Sequence, residues 1–206
     1  MIAVAMPCMS LAQMPGAPVL QNAWASPGIV IAGNFAGGSG SSVFAGAAGW
    51  APASGRFQLS GGGGMQSVKG GSSRGVYGAR IALPVMQLMG GRLGVAAFAG
   101  IGGGAGKTGD TTSSTSVIPG GVTVGYRQPI GSSGRGFSVY VDPSYQHHTG
   151  GNGSQGYFRV AAGVDAGLSS RFGLTVGVES GAGADAGKVG PSGTLYGVGI
   201  SMKLGR

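Results

Sequence analysis

The chain has 206 residues, of which 48 are glycine and only 9% are charged, and its formal net charge is +8. This length favours one domain, and 42% hydrophobic residues are too many for a disordered chain. The glycines show no G-X-Y period, which excludes collagen. The sequence has no run of about 18 apolar residues, so it does not predict a membrane-spanning helix. The thirteen Lys and Arg residues are spread singly, so the positive charge does not indicate a nucleic-acid partner.

The first 27 residues differ from the rest of the chain. Residues 1–12 form an apolar run that ends in Ser10-Leu11-Ala12, which predicts a signal peptide, with Ala23-Trp24-Ala25 as an alternative cleavage site. The usual positive charges before the run are missing, which leaves a start further upstream open. Cleavage after Ala12 would remove Cys8, the only cysteine. Residues 13–27 are predicted as an irregular lead-in, and residues 28–206 as the folded domain.

From residue 28 onwards, apolar residues alternate with small or charged ones, which is the periodicity of β-strands. The alternation is clearest near the end of the chain, where Phe172, Leu174 and Val176 oppose Gly173 and Thr175. Turn-forming residues separate ten such runs. The predicted strands are Ile29–Phe35, Ser42–Trp50, Arg56–Met65, Gly75–Leu83, Arg92–Gly103, Val117–Arg127, Phe137–Gln146, Tyr157–Leu168, Phe172–Glu179 and Leu195–Leu204.

The two faces of these strands differ in a way that favours a membrane barrel over a soluble sandwich. The wet face of a soluble strand usually carries Lys, Glu, Thr and Gln, whereas here the second face is mostly Gly, Ala and Ser. Small residues suit a crowded interior, and the apolar face then turns towards lipid. Parity also sends seven charged residues to this interior: Arg80, Arg127, Asp142, Arg159, Asp165, Glu179 and Lys203. Charges of both signs in a narrow lumen are predicted to pair into a network that fills the barrel, with a charge-lined pore as the alternative.

Aromatic residues lie at both ends of the strands, all on the apolar face by parity. They predict the two aromatic girdles of a transmembrane barrel, because such rings prefer the headgroup boundary. The alternative is that strand ends are simply rich in Phe and Tyr. The eleven residues are Phe35, Phe44, Trp50, Phe57, Tyr77, Tyr126, Phe137, Tyr145, Phe158, Phe172 and Tyr196.

An arginine recurs at four short turns, with spacings of 36, 43 and 36 residues. Each interval holds two strands and two turns, so the repeating unit is a pair of strands. The four residues are Arg56, Arg92, Arg135 and Arg171. We expect them to form a basic belt on the periplasmic rim that binds phospholipid headgroups, with ordinary turn chemistry as the alternative.

The connections at the other end of the strands are longer. Gly104–Thr115, His147–Gln155 and Gly183–Gly193 are predicted as outer loops, since outer-membrane barrels have short periplasmic turns and longer outer loops. An even number of strands places the first and last strand ends on the short-turn side.

The pattern over Ile29–Arg206 resembles the small bacterial outer-membrane β-barrel proteins of the opacity and surface-antigen type. The resemblance implies an all-β, antiparallel, up-and-down transmembrane barrel of about ten strands, with eight or twelve as alternatives. It also implies outer-membrane lipids as partners, both phospholipid and lipopolysaccharide, together with the barrel assembly machinery. Such barrels usually end in an aromatic residue, whereas this sequence ends in Leu204-Gly205-Arg206.

Motifs for catalysis or cofactor binding lack their required context. Gly104–Gly109 matches G-x-G-x-x-G, but no helix follows that could hold a phosphate. The adjacent His147 and His148 would point to opposite sides of a strand, which makes a poor metal chelate. A lipid hydrolase that uses His147, Thr149 and Glu179 is a minor alternative. We therefore predict no enzyme activity, no cofactor and no metal.

The predicted function is that of a bacterial outer-membrane barrel with a structural or surface-interaction role. A small diffusion channel is the first alternative. A secreted, soluble, glycine-rich β-protein or fibre subunit is the second, and it would be extracellular.

Overall fold

A computed structural model of the protein describes residues 22–25, 27–38, 40–68, 73–108, 111–131, 135–150, 153–182 and 193–204. The predicted signal peptide lies outside these residues. Ten strands form the described fold: β1 (Gly28–Gly38), β2 (Ser41–Ala51), β3 (Gln58–Val68), β4 (Arg74–Leu88), β5 (Leu93–Thr108), β6 (Thr111–Ile130), β7 (Arg135–Gly150), β8 (Gly153–Gly167), β9 (Phe172–Gly181) and β10 (Leu195–Leu204). A 3₁₀ turn at Met89–Gly91 joins β4 to β5. None of the helices in these residues is long and apolar enough to cross a membrane.

The strands close into an antiparallel up-and-down barrel. Each strand pairs with its neighbours in the chain, and β1 pairs with β10 through contacts such as Ile29 with Leu204 and Phe35 with Val198. Closure leaves the backbone of the wall paired on both sides, which an apolar surrounding requires. The predicted fold class and the predicted count of ten strands are confirmed.

Side chains of the strands alternate between the inside and the outside of the wall, except at the end of β4, where the register shifts between Pro84 and Met86. In β2, Val43 and Ala45 are buried in the interior, whereas Phe44 and Trp50 are exposed on the outside. The other strands repeat this pattern, so the outer surface is a continuous apolar wall of Ile, Val, Leu, Phe and Tyr. The interior, by contrast, holds the buried polar and charged side chains.

The two ends of the barrel are distinguished by their connections. We call the end that carries residues 52–57, 89–92, 131 and 168–171 the turn end, and the opposite end the loop end. Gly28 pairs with Ala51, and Ile29 pairs with Leu204, so β1 begins and β10 ends at the turn end. Gly55 completes one of these turns with a positive φ of 62° and a bond from its N–H to the Pro52 carbonyl, 2.9 Å long.

Two predicted outer loops are wrong, because they continue the strands. β5 and β6 pair as far as Thr108 with Thr111, so Gly104–Thr115 is mostly hairpin. β7 and β8 likewise pair as far as Gly150 with Gly153, across most of His147–Gln155. Backbone pairing does not need apolar side chains, so polar segments extend the ladder beyond the apolar wall. Apart from Gly193, the predicted loop Gly183–Gly193 lies outside the described residues.

Candidate functional site: the barrel lumen

An ion pair crosses the middle of the lumen between β4 and β7. The Arg80 guanidinium lies 3.6 Å from Asp142 Oδ2, and both side chains are fully buried. One nitrogen of Arg80 also donates to Thr123 Oγ1 at 3.0 Å, and its guanidinium lies 3.9 Å from the ring centroid of Phe98. A buried charge needs such partners, because its removal from water is costly. Arg80 and Asp142 belong to the predicted lumen network.

A second ion pair lies nearer the loop end. Arg159 Nε donates to Glu179 Oε1 at 2.6 Å, and the other two guanidinium nitrogens donate to the carbonyls of Ala182 and Gly193 at 3.0 and 2.6 Å. Gln146 Nε2 adds a bond to the same Glu179 oxygen at 3.2 Å. Arg159 is completely buried and ties the carbonyls that flank residues 183–192 to the barrel wall.

The third buried acid, Asp165, forms no ion pair within the described residues and is held by neutral donors. Thr175 Oγ1 donates to its Oδ1 at 2.6 Å, while Ser138 Oγ and Asn22 Nδ2 donate to its Oδ2 at 3.2 and 2.6 Å. Three hydrogen bonds of this kind stabilise a carboxylate inside a protein. Asn22 also donates to Ser138 Oγ at 2.8 Å, so Asn22, Ser138 and Asp165 are all hydrogen-bonded to one another.

Asn22 belongs to the described part of the lead-in, residues 22–25, which lies in the lumen at the turn end. Asn22, Ala23, Trp24 and Ala25 are all buried, and Trp24 packs with Ala96 inside the barrel. An irregular segment was predicted here, but its insertion into the lumen of the barrel was not predicted. The only available signal was a large indole in a segment with no periodicity, which does not say where the ring packs.

The two remaining charges of the predicted network lie near the turn end. Arg127 Nε donates to the Gly91 carbonyl at 2.7 Å, and its guanidinium lies 5.0 Å from the ring of Trp24. Lys203 is half-buried near the end of β10, at the turn end, and its Cε would lie 3.6 Å from a Cβ built on Gly28. The seven predicted residues therefore form groups at different depths: a middle pair, a loop-end pair, a hydrogen-bonded acid, and two bases at the turn end.

Three inward aromatic residues lie outside the predicted network of charges. Phe98, Tyr140 and Tyr157 are all buried, and the Tyr140 ring lies against Gly163 so closely that a Cβ there would collide with it. Strand parity could have found them, because each occupies an inward position between outward apolar neighbours. They fill lumen volume that small residues leave empty.

The predicted girdle residues lie on the outside of the wall. Nine of the eleven are exposed, and Phe57 and Tyr126 are half-buried. Phe35 pairs with Phe44 across β1 and β2, and at the turn end Trp50 meets Phe57 edge to face with centroids 5.7 Å apart. Their contact with a headgroup layer stays a prediction.

The four arginines of the predicted belt are all exposed at the turn end of the barrel. Arg56 and Arg92 lie just before β3 and β5, Arg135 begins β7, and Arg171 lies just before β9. Their headgroup binding also stays a prediction.

The histidines point to opposite sides of β7, as adjacent strand residues do. His147 is exposed and its Nε2 lies 2.7 Å from Ser154 Oγ, whereas His148 faces inward with its Nε2 3.2 Å from Gln146 Oε1. Glu179 is buried in the lumen and bound to Arg159, so it does not orient His147. No cluster of three or more metal-ligating side chains occurs in the described part of the chain.

Comparison with known proteins finds similarity in structure alone. The β domain of the Bordetella autotransporter Brka superimposes with a TM-score of 0.55 at 13% identity, over 85% of this chain and 98% of that one. The KdgM porin gives a TM-score of 0.42 at 10% identity, over 85% and 99%. No protein-family model and no curated protein matches the sequence. The chain has the fold of a small outer-membrane β-barrel, as the sequence resemblance implied.

Proposed function

We propose that the protein is a bacterial outer-membrane barrel with a structural or surface-interaction role and no catalysis. The observation that carries this proposal is the outer wall, where apolar side chains are exposed around the whole barrel. A soluble monomer rarely exposes an apolar patch above a few hundred Å², whereas a lipid-facing wall must be apolar. The closed hydrogen-bond ladder supports the same setting.

The groups that occupy the middle and both ends of the lumen favour a structural role over open conduction. The pairs of Arg80 with Asp142 and Arg159 with Glu179 occupy the middle and the loop end, and the lead-in occupies the turn end. The long hairpins β5–β6 and β7–β8 provide the surface for an interaction outside the cell. Their loop ends carry exposed Thr and Ser side chains, including Ser116, Thr149 and Ser154.

A small diffusion channel is the second candidate, because part of the lumen is not filled. Ala32 and Ser60 point inward and still retain partial exposure. Conductance of the purified protein in planar bilayers separates the two roles. Steady ohmic steps in the unmodified protein would contradict the structural role and support the channel.

Lipids and the assembly machinery are the proposed partners. The exposure of the turn-end arginines supports phospholipid as the proposed ligand at this rim, since guanidinium groups pair with phosphate in a bidentate way. Lipopolysaccharide is the proposed ligand at the loop end. Cell fractionation tests the location of the protein. Recovery in the outer-membrane fraction is expected, and recovery in the soluble fraction without detergent would support the secreted alternative instead.

A further inference from the structure

Residues Asn22–Ala25 fill the turn end of the lumen and contact several strands of the barrel. All four are buried, although they belong to no strand. Asn22 reaches Ser138 and Asp165, which lie 116 and 143 residues away in the sequence. The far wall of this site is itself fixed, because Thr175 holds the second oxygen of Asp165. The segment is therefore inserted into a formed site in the barrel.

The wall beneath Trp24 is shaped for an indole. A Cβ added to Gly94 would lie 2.9 Å from Trp24 Cε2, and one added to Gly125 would lie 2.8 Å from Trp24 Cζ3. Real Cβ atoms do not approach other atoms so closely, so only glycine at both positions leaves room for the ring. Arg127 covers the ring at 5.0 Å, within the range of a cation–π contact.

The docked segment keeps one unfavourable feature. Trp24 Nε1 is buried and has no hydrogen-bond acceptor among the described residues. A buried donor without a partner opposes burial of the ring, and it would regain a partner in water. Docking thus balances indole burial and the Asn22 bonds against an unsatisfied N–H group.

Beyond residues 22–25 the lumen is less tightly filled at Ala32 and Ser60, and we call this region the lumen chamber. Ala32 and Ser60 face inward and retain partial exposure, whereas Val30 and Gln58, which are two positions nearer the turn end, are buried. The lumen is therefore tight at the turn end, where the lead-in lies, and wider above it. The chamber borders a strand that carries the buried Asn34, whose amide nitrogen and oxygen have no hydrogen-bond partner within the described parts of the chain.

We propose that residues Asn22–Ala25 are a displaceable gate, in which Asn22 and Trp24 close the turn end of the lumen and their release opens the lumen chamber to solvent from that end. The gate is part of the chain and needs no added ligand to close. Its release needs no change in the barrel wall, because the site consists of side chains and glycine backbone of strands that remain paired.

Thiol accessibility of the chamber tests this gate in the full-length, detergent-solubilised protein. An Ala32→Cys substitution in a Cys8→Ser background supplies the reporter, and a charged methanethiosulfonate is the probe. Gly94→Ala, Gly125→Ala and Trp24→Ala should each raise the modification rate at least tenfold. Gly33→Ala is the matched control, because a Cβ at Gly33 has nothing within 4 Å, and it should leave the rate unchanged.

Fluorescence of Trp24 gives a second readout that does not depend on the chamber. Trp50→Phe removes the only other tryptophan, so acrylamide quenching then reports on Trp24 alone. Quenching should be weak in this background and should increase several-fold when Gly94→Ala or Gly125→Ala is added. A mobility shift on heating, measured for each variant, checks that the barrel is closed.

Equal modification rates in all variants with a closed barrel, or strong Trp24 quenching before any glycine is changed, would overturn the gate. A rate that rises equally for Gly33→Ala would also overturn it, since loosened strands and not the lead-in would then control access. These measurements are made in detergent and do not depend on where the protein resides, so the proposed outer-membrane role can fail while the gate stands.

Discussion

The loop-end ion pair offers the sharpest test of how the lumen stabilises the barrel. Arg159→Met keeps most of the side-chain volume but leaves the Glu179 carboxylate buried without its cation. The buried arginine makes three charge-assisted bonds of 2.6 to 3.0 Å, and removal of one partner of such a pair costs about 3–5 kcal/mol. We expect the free energy of unfolding, measured by urea titration in liposomes, to fall by this amount.

A double-mutant cycle separates the pair from simple loss of packing. Glu179→Gln alone should destabilise the barrel, and Arg159→Met with Glu179→Gln should cost less than the sum of the two single changes. Contacting charged groups show coupling energies of about 0.5–3 kcal/mol, and values at the upper end are expected here. Additive effects within about 0.5 kcal/mol, or a cost below about 1 kcal/mol for Arg159→Met, would refute the assignment of this pair as a stabilising element of the loop end.

Three further predictions concern the wall and its orientation. Val176→Arg places a charge on the outer face, where Val176 is 55% exposed, and should lower the free energy of unfolding in liposomes by about 2–4 kcal/mol, whereas Val176→Leu should have little effect. The unboiled protein should migrate differently from the boiled protein in SDS gels, since a closed ladder resists SDS, and identical mobility would count against closure. Ser54→Cys and Ser170→Cys, each in the Cys8→Ser background, should react with a membrane-impermeant thiol reagent only after the outer membrane is permeabilised; labelling of intact cells would place the four turn-end arginines outside the cell.

The strands were predictable because each one repeats the same choice of side chain at every second position. Lipid demands apolar residues on one face, so the ninth strand shows its parity through Phe172, Leu174 and Val176 without any knowledge of its neighbours. The hairpin ends were not predictable in this way. Beyond the apolar wall, Gly104 still pairs with Thr115, but the side chains there no longer carry the period that reveals a strand.

Parity placed the charged residues on the interior but could not choose their partners. Arg159 and Asp165 share one face of β8, and either could have been expected to pair across the lumen. The register decides: Ala161 lies opposite Glu179 and Asp165 lies opposite Thr175, so the arginine meets the glutamate and the aspartate meets a hydroxyl. The lead-in contacts lie still further from sequence patterns, since Asn22 and Asp165 have neither a period nor a spacing in common.

The lumen is closed by different chemistry at its two ends, and this difference allows each closure to be tested separately. The loop end depends on Arg159, a charge whose removal leaves another charge buried. The turn end depends on Trp24 and on neutral hydrogen bonds from Asn22. A single methyl group added at Gly94 or Gly125, beneath the Trp24 ring, should therefore disturb it. Strands β1–β3 carry no inward charge, and part of the lumen along them remains unfilled. A barrel that served only as a filled scaffold would need no such space, so the response of the lumen chamber to the turn-end variants determines whether its interior is static or accessible.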